Sequence, residues 1–259
     1  MALIQTEIRE AIGVLTLAQP QRRNALSADM VGEIVGALDD FGRRRLRAVI
    51  LRAEPGSRVW SAGHDVHELP ETGRDPLGWD DPLRHLVREI ENLAAPVIAL
   101  VEGSVWGGAC EVVLACDLVV ATPDATFAVT PARLGVPYNI GGMLTFLNAS
   151  GMRIAKEMAF TARPVGAERA ERLGMINHVV AAAEIEAFCM AMAQDIAVNA
   201  PLSIAVMKEQ LRILAGAHPM SPQGFERIQG LRKLVYDSAD YREGIRAFKE
   251  KRRPTFTGE

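Results

Sequence analysis

The stretch Pro96-Val-Ile-Ala-Leu-Val-Glu-Gly-Ser-Val-Trp-Gly-Gly-Ala-Cys-Glu-Val-Val-Leu-Ala-Cys-Asp-Leu-Val-Val-Ala121 decides the fold. Its two ends, 96–101 and 118–121, are apolar at every alternate position and too short for helices, so each reads as a strand covered on both faces. Between them lies a glycine-containing loop, Glu102–Glu111, leading into an apolar helix, Val112–Cys116. Two buried strands joined through a helix run parallel, and such crossovers are right-handed. Working upstream, Ala48–Ala53 is another buried strand, and a helix from about Asp81 to Leu93 joins it to the first. Ser27 is a plausible N-cap for an amphipathic helix reaching about Phe41, with Met30, Ile34, Val35 and Leu38 on one face. The β-leaning segments Leu3–Arg9 and Gly13–Ala18 form an opening hairpin. Downstream, Thr126–Val129 adds a short strand, and from about Asn139 helical periodicity takes over. It runs through Ile154–Thr161, Ala167–Leu173, Glu184–Val198, Leu202–Leu214, Gly224–Val235 and Tyr241–Lys251. The expected class is α/β: a β/α core over residues 1–195 and a C-terminal helical region over 196–259, forming one structural unit.

Composition narrows the function. The 259 residues suit one large domain needing no metal or disulfide to hold it. Lys+Arg 29 against Asp+Glu 32 leaves a net charge of −3, which argues against a basic surface for nucleic acid over the whole molecule. No apolar run approaches the roughly 20 residues of a membrane span, and Arg9 and Glu10 interrupt the start of the chain. Cys110, Cys116 and Cys189 are odd in number, lie in apolar surroundings and form no CxxC, so a reducing, cytoplasmic setting is expected. Neither a nucleic acid nor a membrane is an expected partner.

Two loops each follow a buried strand: Trp60-Ser-Ala-Gly-His-Asp-Val66 and Glu102–Glu111. Glycines before a helix let the backbone approach a ligand, and the first-turn N–H groups stay free to donate. One donor from each loop would make a two-pronged oxyanion hole for a developing enolate or tetrahedral oxygen. A dinucleotide site is poorly supported, because no G-x-G-x-x-G follows either strand. His64, His67 and Glu68 suggest a metal cluster, but no further clear ligand or companion motif supports it, and no metal is expected. Lys249-Glu-Lys-Arg-Arg253 is the densest run of cations.

Taken together, Arg23-Asn-Ala-Leu26, Ser61–Asp65, Gly103–Glu111, Cys116-Asp-Leu118, Ala170–Val179 and Gly244–Pro254 resemble the crotonase (enoyl-CoA hydratase/isomerase) superfamily, in order and over nearly the whole chain. The resemblance implies a spiral β/α core, homotrimers often paired as homohexamers, and acyl-CoA thioester substrates. It implies no cofactor, since coenzyme A is part of the substrate. The enolate donors become the amides of His64 and Gly108, with Ala62, Gly63, Asp65 and Val66 contacting the substrate through their backbone. Lys251 becomes a contact for coenzyme A, donated across a subunit interface.

Within the superfamily, a hydratase uses two glutamates to hold and activate water. Glu111 matches the first; keeping Phe127 and Gly135 in register puts Pro131 at the second, where no proton can be exchanged. Arg133 stays protonated and cannot replace the missing base. Ala62–Pro70, Gly73–Leu77, Asp80–Arg84, Val101–Gly108, Thr130-Pro131, Leu134–Asn139, Phe225–Arg232 and Val235–Ser238 resemble more narrowly a branch that removes CO2 from methylmalonyl-CoA. Such a reaction needs no base, only a fixed torsion and a stabilised enolate. Tyr138 matches the tyrosine that orients the substrate carboxylate there, and Thr130 is a second hydroxyl near the acyl group. Two competing readings remain: an enoyl-CoA hydratase or isomerase on another acyl chain, and a non-catalytic protein of the same fold that binds RNA or a partner.

Overall fold

Ala48–Ala53 is buried at all six positions, and so is Val97–Val101 at all five. A strand covered on both faces must sit inside a sheet with helices above and below. The computed structural model, which describes residues 2–70, 75 and 77–259, has that arrangement. Of the stretch 73–77, Gly73, Arg74 and Pro76 lie outside the described residues.

In chain order the elements are β1 (Ile4–Arg9), β2 (Ile12–Leu17), α1 (Ala28–Arg43), β3 (Ala48–Ala53), β4 (Val59–Ser61), α2 (Pro82–Asn92), β5 (Val97–Val101), β6 (Ser104–Trp106), α3 (Gly108–Ala115), β7 (Leu118–Ala121) and β8 (Thr126–Ala128). There follow α4 (Ile140–Thr161), β9 (Val165–Gly166), α5 (Ala167–Arg172), β10 (His178–Val179), α6 (Ile185–Val198), α7 (Pro201–Ala215), α8 (Pro222–Tyr236) and α9 (Ala239–Lys249). Ser27 caps α1, accepting from the Met30 amide at 3.3 Å, and Asp81 caps α2, accepting from the Arg84 amide at 3.2 Å.

Six strands form one sheet in the order β1-β2-β3-β5-β7-β10; β1 and β2 are the antiparallel hairpin, and the rest are parallel. Alternate residues of these strands point to opposite faces. Val49, Leu51, Val97, Ala99 and Val101 join α1, α2 and α3 in the main core. Ile50, Ile98, Leu100 and Val120 meet Ile185, Cys189 and Ala193 of α6 on the other side.

The second sheet, in the order β4-β6-β8-β9, was not expected from the sequence. It explains the spiral. Each core strand β3, β5 and β7 is followed directly by a short strand β4, β6 or β8, so three similar turns of chain stack on one another. Because β4 and β6 are parallel neighbours, the loops leaving their C-terminal ends lie side by side. The helix after the second loop begins at Gly108, four residues earlier than the expected Val112. That shift places Gly108 in the first helical turn, where an amide has no intrahelical acceptor.

The boundary expected between residues 195 and 196 falls inside α6, which ends at Val198. Downstream, α8 and α9 pack Tyr236, Tyr241 and Ile245 against Val66, Leu69, Leu77 and Val136. The C-terminal helices therefore help to wall the region around the first loop. Among the described residues, no single helix is long and apolar enough to cross a membrane.

Candidate active site

A cavity of about 580 Å³ opens between the two loops, the first turn of α2 and the segment 130–138. Of the residues expected to bind substrate, Ala62, His64, Asp65, Val66, Gly108, Thr130 and Tyr138 line it. Gly63 sits just behind the wall. Its φ is +85°, and a Cβ there would overlap the Trp106 carbonyl oxygen and lie 2.9 Å from the Gly108 nitrogen. Only glycine lets the two loops cross this closely. A Cβ on Gly108 would in turn lie 3.5 Å from the His64 nitrogen.

The backbone amides of the first loop are nearly all engaged. Ala62 donates to the Arg23 carbonyl at 2.9 Å, Gly63 to Ser61 Oγ at 3.1 Å, and Asp65 to the Leu26 carbonyl at 3.4 Å. His64 is the exception: its N–H has no acceptor among the described residues. In the second loop Gly107 donates to the Ala128 carbonyl at 2.8 Å, whereas Gly108, the first residue of α3, has no such acceptor among the described residues. Two unengaged amides thus stand together at one cavity wall, as an oxyanion hole requires.

Side chains hold this backbone in place. Asp81 caps α2 through Oδ1 and meets His64 Nε2 through Oδ2 at 2.9 Å. Burial opposes a charge on His64, but the Asp81 carboxylate outweighs it, and the imidazole pKa lies above its usual value. The Asp65 carboxylate meets Arg22 at 2.6 Å and accepts from the His67 amide at 3.1 Å. Glu68 accepts from the Ala28 amide at 2.9 Å. The His64 and Glu68 side chains and the His67 amide therefore hold the loop and α1.

Glu111 is fully buried in the first turn of α3, and its Oε1 forms an ion pair with Arg84 of α2. Its Oε2 and the Tyr138 hydroxyl are both buried without a partner in hydrogen-bonding geometry among the described residues. Burial raises the Glu111 pKa, and the Arg84 charge only partly offsets this. Burial, reinforced by the Glu111 charge, pushes the Tyr138 phenol well above its usual range, so it stays protonated. Its ring packs edge-on against Phe146, with centroids 5.1 Å apart. Pro131 is on the cavity wall where a second carboxylate was ruled out.

Lys251 does not line the cavity; it is exposed just beyond α9, in left-handed backbone with φ +55°. Phe248 of the same helix does line it, and the cations on the wall are Arg22, Arg23 and Arg133. Sequence reasoning missed these three as site residues. Arg23 stood in a recognised motif, but loop arginines have no periodicity to reveal their direction. Arg84 was also missed, because its pairing with Glu111 is a tertiary contact between two helices.

Residues 7–259 match the enoyl-CoA hydratase/isomerase family. The chain is 50% identical over 247 residues to methylmalonyl-CoA decarboxylase of Escherichia coli (strain K12), covering 95% of each protein. Among solved structures it is similar to methylmalonyl-CoA decarboxylase in complex with 2-nitronate-propionyl-CoA, with TM-score 0.97, 48% identity and 99% of each chain covered. It is equally similar, at TM-score 0.97 and 48% identity over 99% and 98% of the chains, to methylmalonyl-CoA decarboxylase complexed with 2S-carboxypropyl-CoA.

Proposed function

The chain belongs to the enoyl-CoA hydratase/isomerase family, and on that premise we propose that it decarboxylates methylmalonyl-CoA to propionyl-CoA and CO2. One observation carries the reading. The cavity joins two unengaged amides, His64 and Gly108, to a wall built from Tyr138, Thr130 and Pro131 rather than from a second carboxylate. That set can stabilise an enolate but lacks the acid–base pair of a hydratase.

The substrate's thioester oxygen sits between the two amides, and its carboxylate lies toward Tyr138 and Thr130. When the C–CO2 bond stands perpendicular to the thioester plane, its electron pair flows into the carbonyl as CO2 leaves. The oxygen gains the negative charge, and each amide is worth about 3–4 kcal/mol there. C2 then takes one proton, from the Tyr138 phenol directly or through water, to give propionyl-CoA. The net reaction consumes that proton and needs no cofactor, coenzyme A being part of the substrate.

Arg22, Arg23 and Arg133 offer cations to the coenzyme A phosphates, and Lys251 reaches those of a neighbouring subunit in a homotrimer or homohexamer. Exposed Leu202, Leu211 and Leu234 on α7 and α8 support self-association. The three cysteines are buried, unpaired thiols, in keeping with a cytoplasmic enzyme.

Mass spectrometry of the purified protein, incubated separately with methylmalonyl-CoA and crotonyl-CoA without added metal, tests the reading. Rapid propionyl-CoA formation with negligible hydration of crotonyl-CoA is expected. Hydroxybutyryl-CoA from the second tube, with the first unchanged, would establish a hydratase and overturn the argument from Pro131.

A further inference from the structure

The run Asp80-Asp-Pro-Leu-Arg84 is unused by the reaction just described, yet its helical turn touches the site three times. Asp81 holds the His64 ring, Leu83 packs where a Gly108 Cβ would come within 2.5 Å of it, and Arg84 pairs with Glu111. The tandem glycines opening α4 make room for the last contact. A Cβ on Gly141 would overlap the Arg84 guanidinium. One on Gly142 would overlap the Tyr138 ring and lie 2.9 Å from Glu111 Oε2. Arg84, Glu111 and Tyr138 are therefore packed in sequence against one glycine-paved helix start.

The chemistry of the three groups is complementary. Arg84 uses one oxygen of Glu111, and the other oxygen is an acceptor with no other partner. Tyr138 supplies a donor that also has none, and buried donors and acceptors are costly to leave unmade. We propose that Arg84 is a positioning residue: it pins Glu111 so that the free carboxylate oxygen is the resting acceptor of the Tyr138 hydroxyl, setting the direction from which that hydroxyl turns onto the substrate carboxylate. The pairing also keeps the buried Glu111 carboxylate, behind the cavity wall, from acting as a base toward water. The kinetic part of this inference rests on the decarboxylase reading; the hydrogen-bonded pair does not.

Without its cation, a buried carboxylate takes up a proton, and Glu111 would then donate toward Tyr138 instead of accepting. The charged and titratable groups facing Glu111 are Arg84 and Glu91 from α2, Tyr138 before α4, and its own neighbour Cys110, whose thiol burial keeps protonated. A substrate-free test uses Cζ-13C tyrosine; the chain has only three tyrosines, and Tyr138→Phe assigns the signal. In Arg84→Met the Tyr138 resonance should titrate with Glu111, at a higher pH than any transition in the wild type. That titration should vanish in Arg84→Met/Glu111→Gln but persist in Arg84→Met/Glu91→Gln. Turnover of methylmalonyl-CoA should fall about 10- to 100-fold in kcat for Arg84→Met, with KM changed less than about threefold and part of the loss restored by Arg84→Lys.

A flat Tyr138 signal in a folded Arg84→Met protein would overturn the proposal, as would unchanged kcat. If Arg84→Met does not fold, Arg84→Lys carries the same test through a displaced Tyr138 shift, and an unmoved shift overturns it. A wild type that forms no propionyl-CoA, with the titration behaving as expected, overturns the decarboxylase reading and leaves the positioning role of Arg84 standing.

Discussion

Tyr138 is a buried phenol whose hydroxyl has no partner in hydrogen-bonding geometry among the described residues, and this makes its substitution diagnostic. A residue kept for packing alone would lose nothing in Tyr138→Phe, since the ring retains its edge-on contact with Phe146. Removing the hydroxyl leaves the buried Glu111 Oε2 without its donor and should lower stability by only about 1–3 kcal/mol. Loss of a donor aimed at reacting charge should instead cost about 100- to 1,000-fold in kcat. Turnover and thermal unfolding measured on the same preparation separate the two, and near-wild-type turnover would remove Tyr138 from the mechanism. Its raised pKa adds that deprotonation of the phenol should not limit activity below the usual tyrosine range. Tyr138, Thr130 and the loop residues could be named from the sequence because motifs carry them. Arg84 could not, since no local pattern tells an arginine on α2 to seek a carboxylate on α3. Lys251 was also named from a motif, as a contact donated across a subunit interface, while Arg22, Arg23 and Arg133, which line the cavity within this chain, were not.

The N-cap of α2 links local sequence to the site through one side chain. Asp81 was legible as the start of a helix, because Asp before Pro at the first helical position is a common entry. Its second oxygen, on the His64 ring, was not legible, since it depends on how two loops cross. Asp81→Asn separates the two jobs: asparagine still caps α2 but carries no charge for His64. Because the folded His64 pKa is raised above 6.5, the pair's electrostatic contribution to stability is full below that value and is lost as pH rises through the folded pKa. The variant should therefore be destabilised by about 1.5–3 kcal/mol near pH 6 and by clearly less near pH 9. Denaturant unfolding at both pH values checks this; an equal loss at both would mean that His64 stays neutral when folded. The same contrast holds for whole elements. Strand β3 was read to the residue because five apolar residues around Arg52, in a run too short for a helix, point to a buried strand. Strands β4 and β6, three residues each, and the early start of α3 at Gly108 were hidden because Ser, Trp and Gly-Gly read as turns.

At the scale of the molecule, α7 is the element that the single chain leaves unexplained. It has 15 residues and buries none of them, although most helices in proteins draw their stability from a packed face. Lys208 reaches inward, donating to the Ile90 and Ala95 carbonyls at 3.0 and 3.2 Å and pairing with Asp117 at 2.7 Å. That cation anchors the helix to the core while Leu202, Val206, Leu211 and Leu214 face outward, with Leu202 81% exposed. An exposed apolar face of this kind marks an interaction surface. The periodicity of Leu202–Leu214 announced a helix, but periodicity cannot say whether its apolar side meets its own chain or another. In the homotrimer or homohexamer proposed above, other copies of this chain cover α7. Sedimentation equilibrium should therefore give a mass that is a multiple of three of the 28.1 kDa chain. Leu211→Glu should shift that mass toward the monomer, because burying one uncompensated carboxylate in each copy of the interface costs several kcal/mol. Since α8 and α9 wall the first loop and Phe248 of α9 lines the cavity, turnover should fall with the mass. A wild-type chain that sediments as a monomer with full turnover would mean that α7 serves another partner, and that the catalytic cavity is complete in one copy.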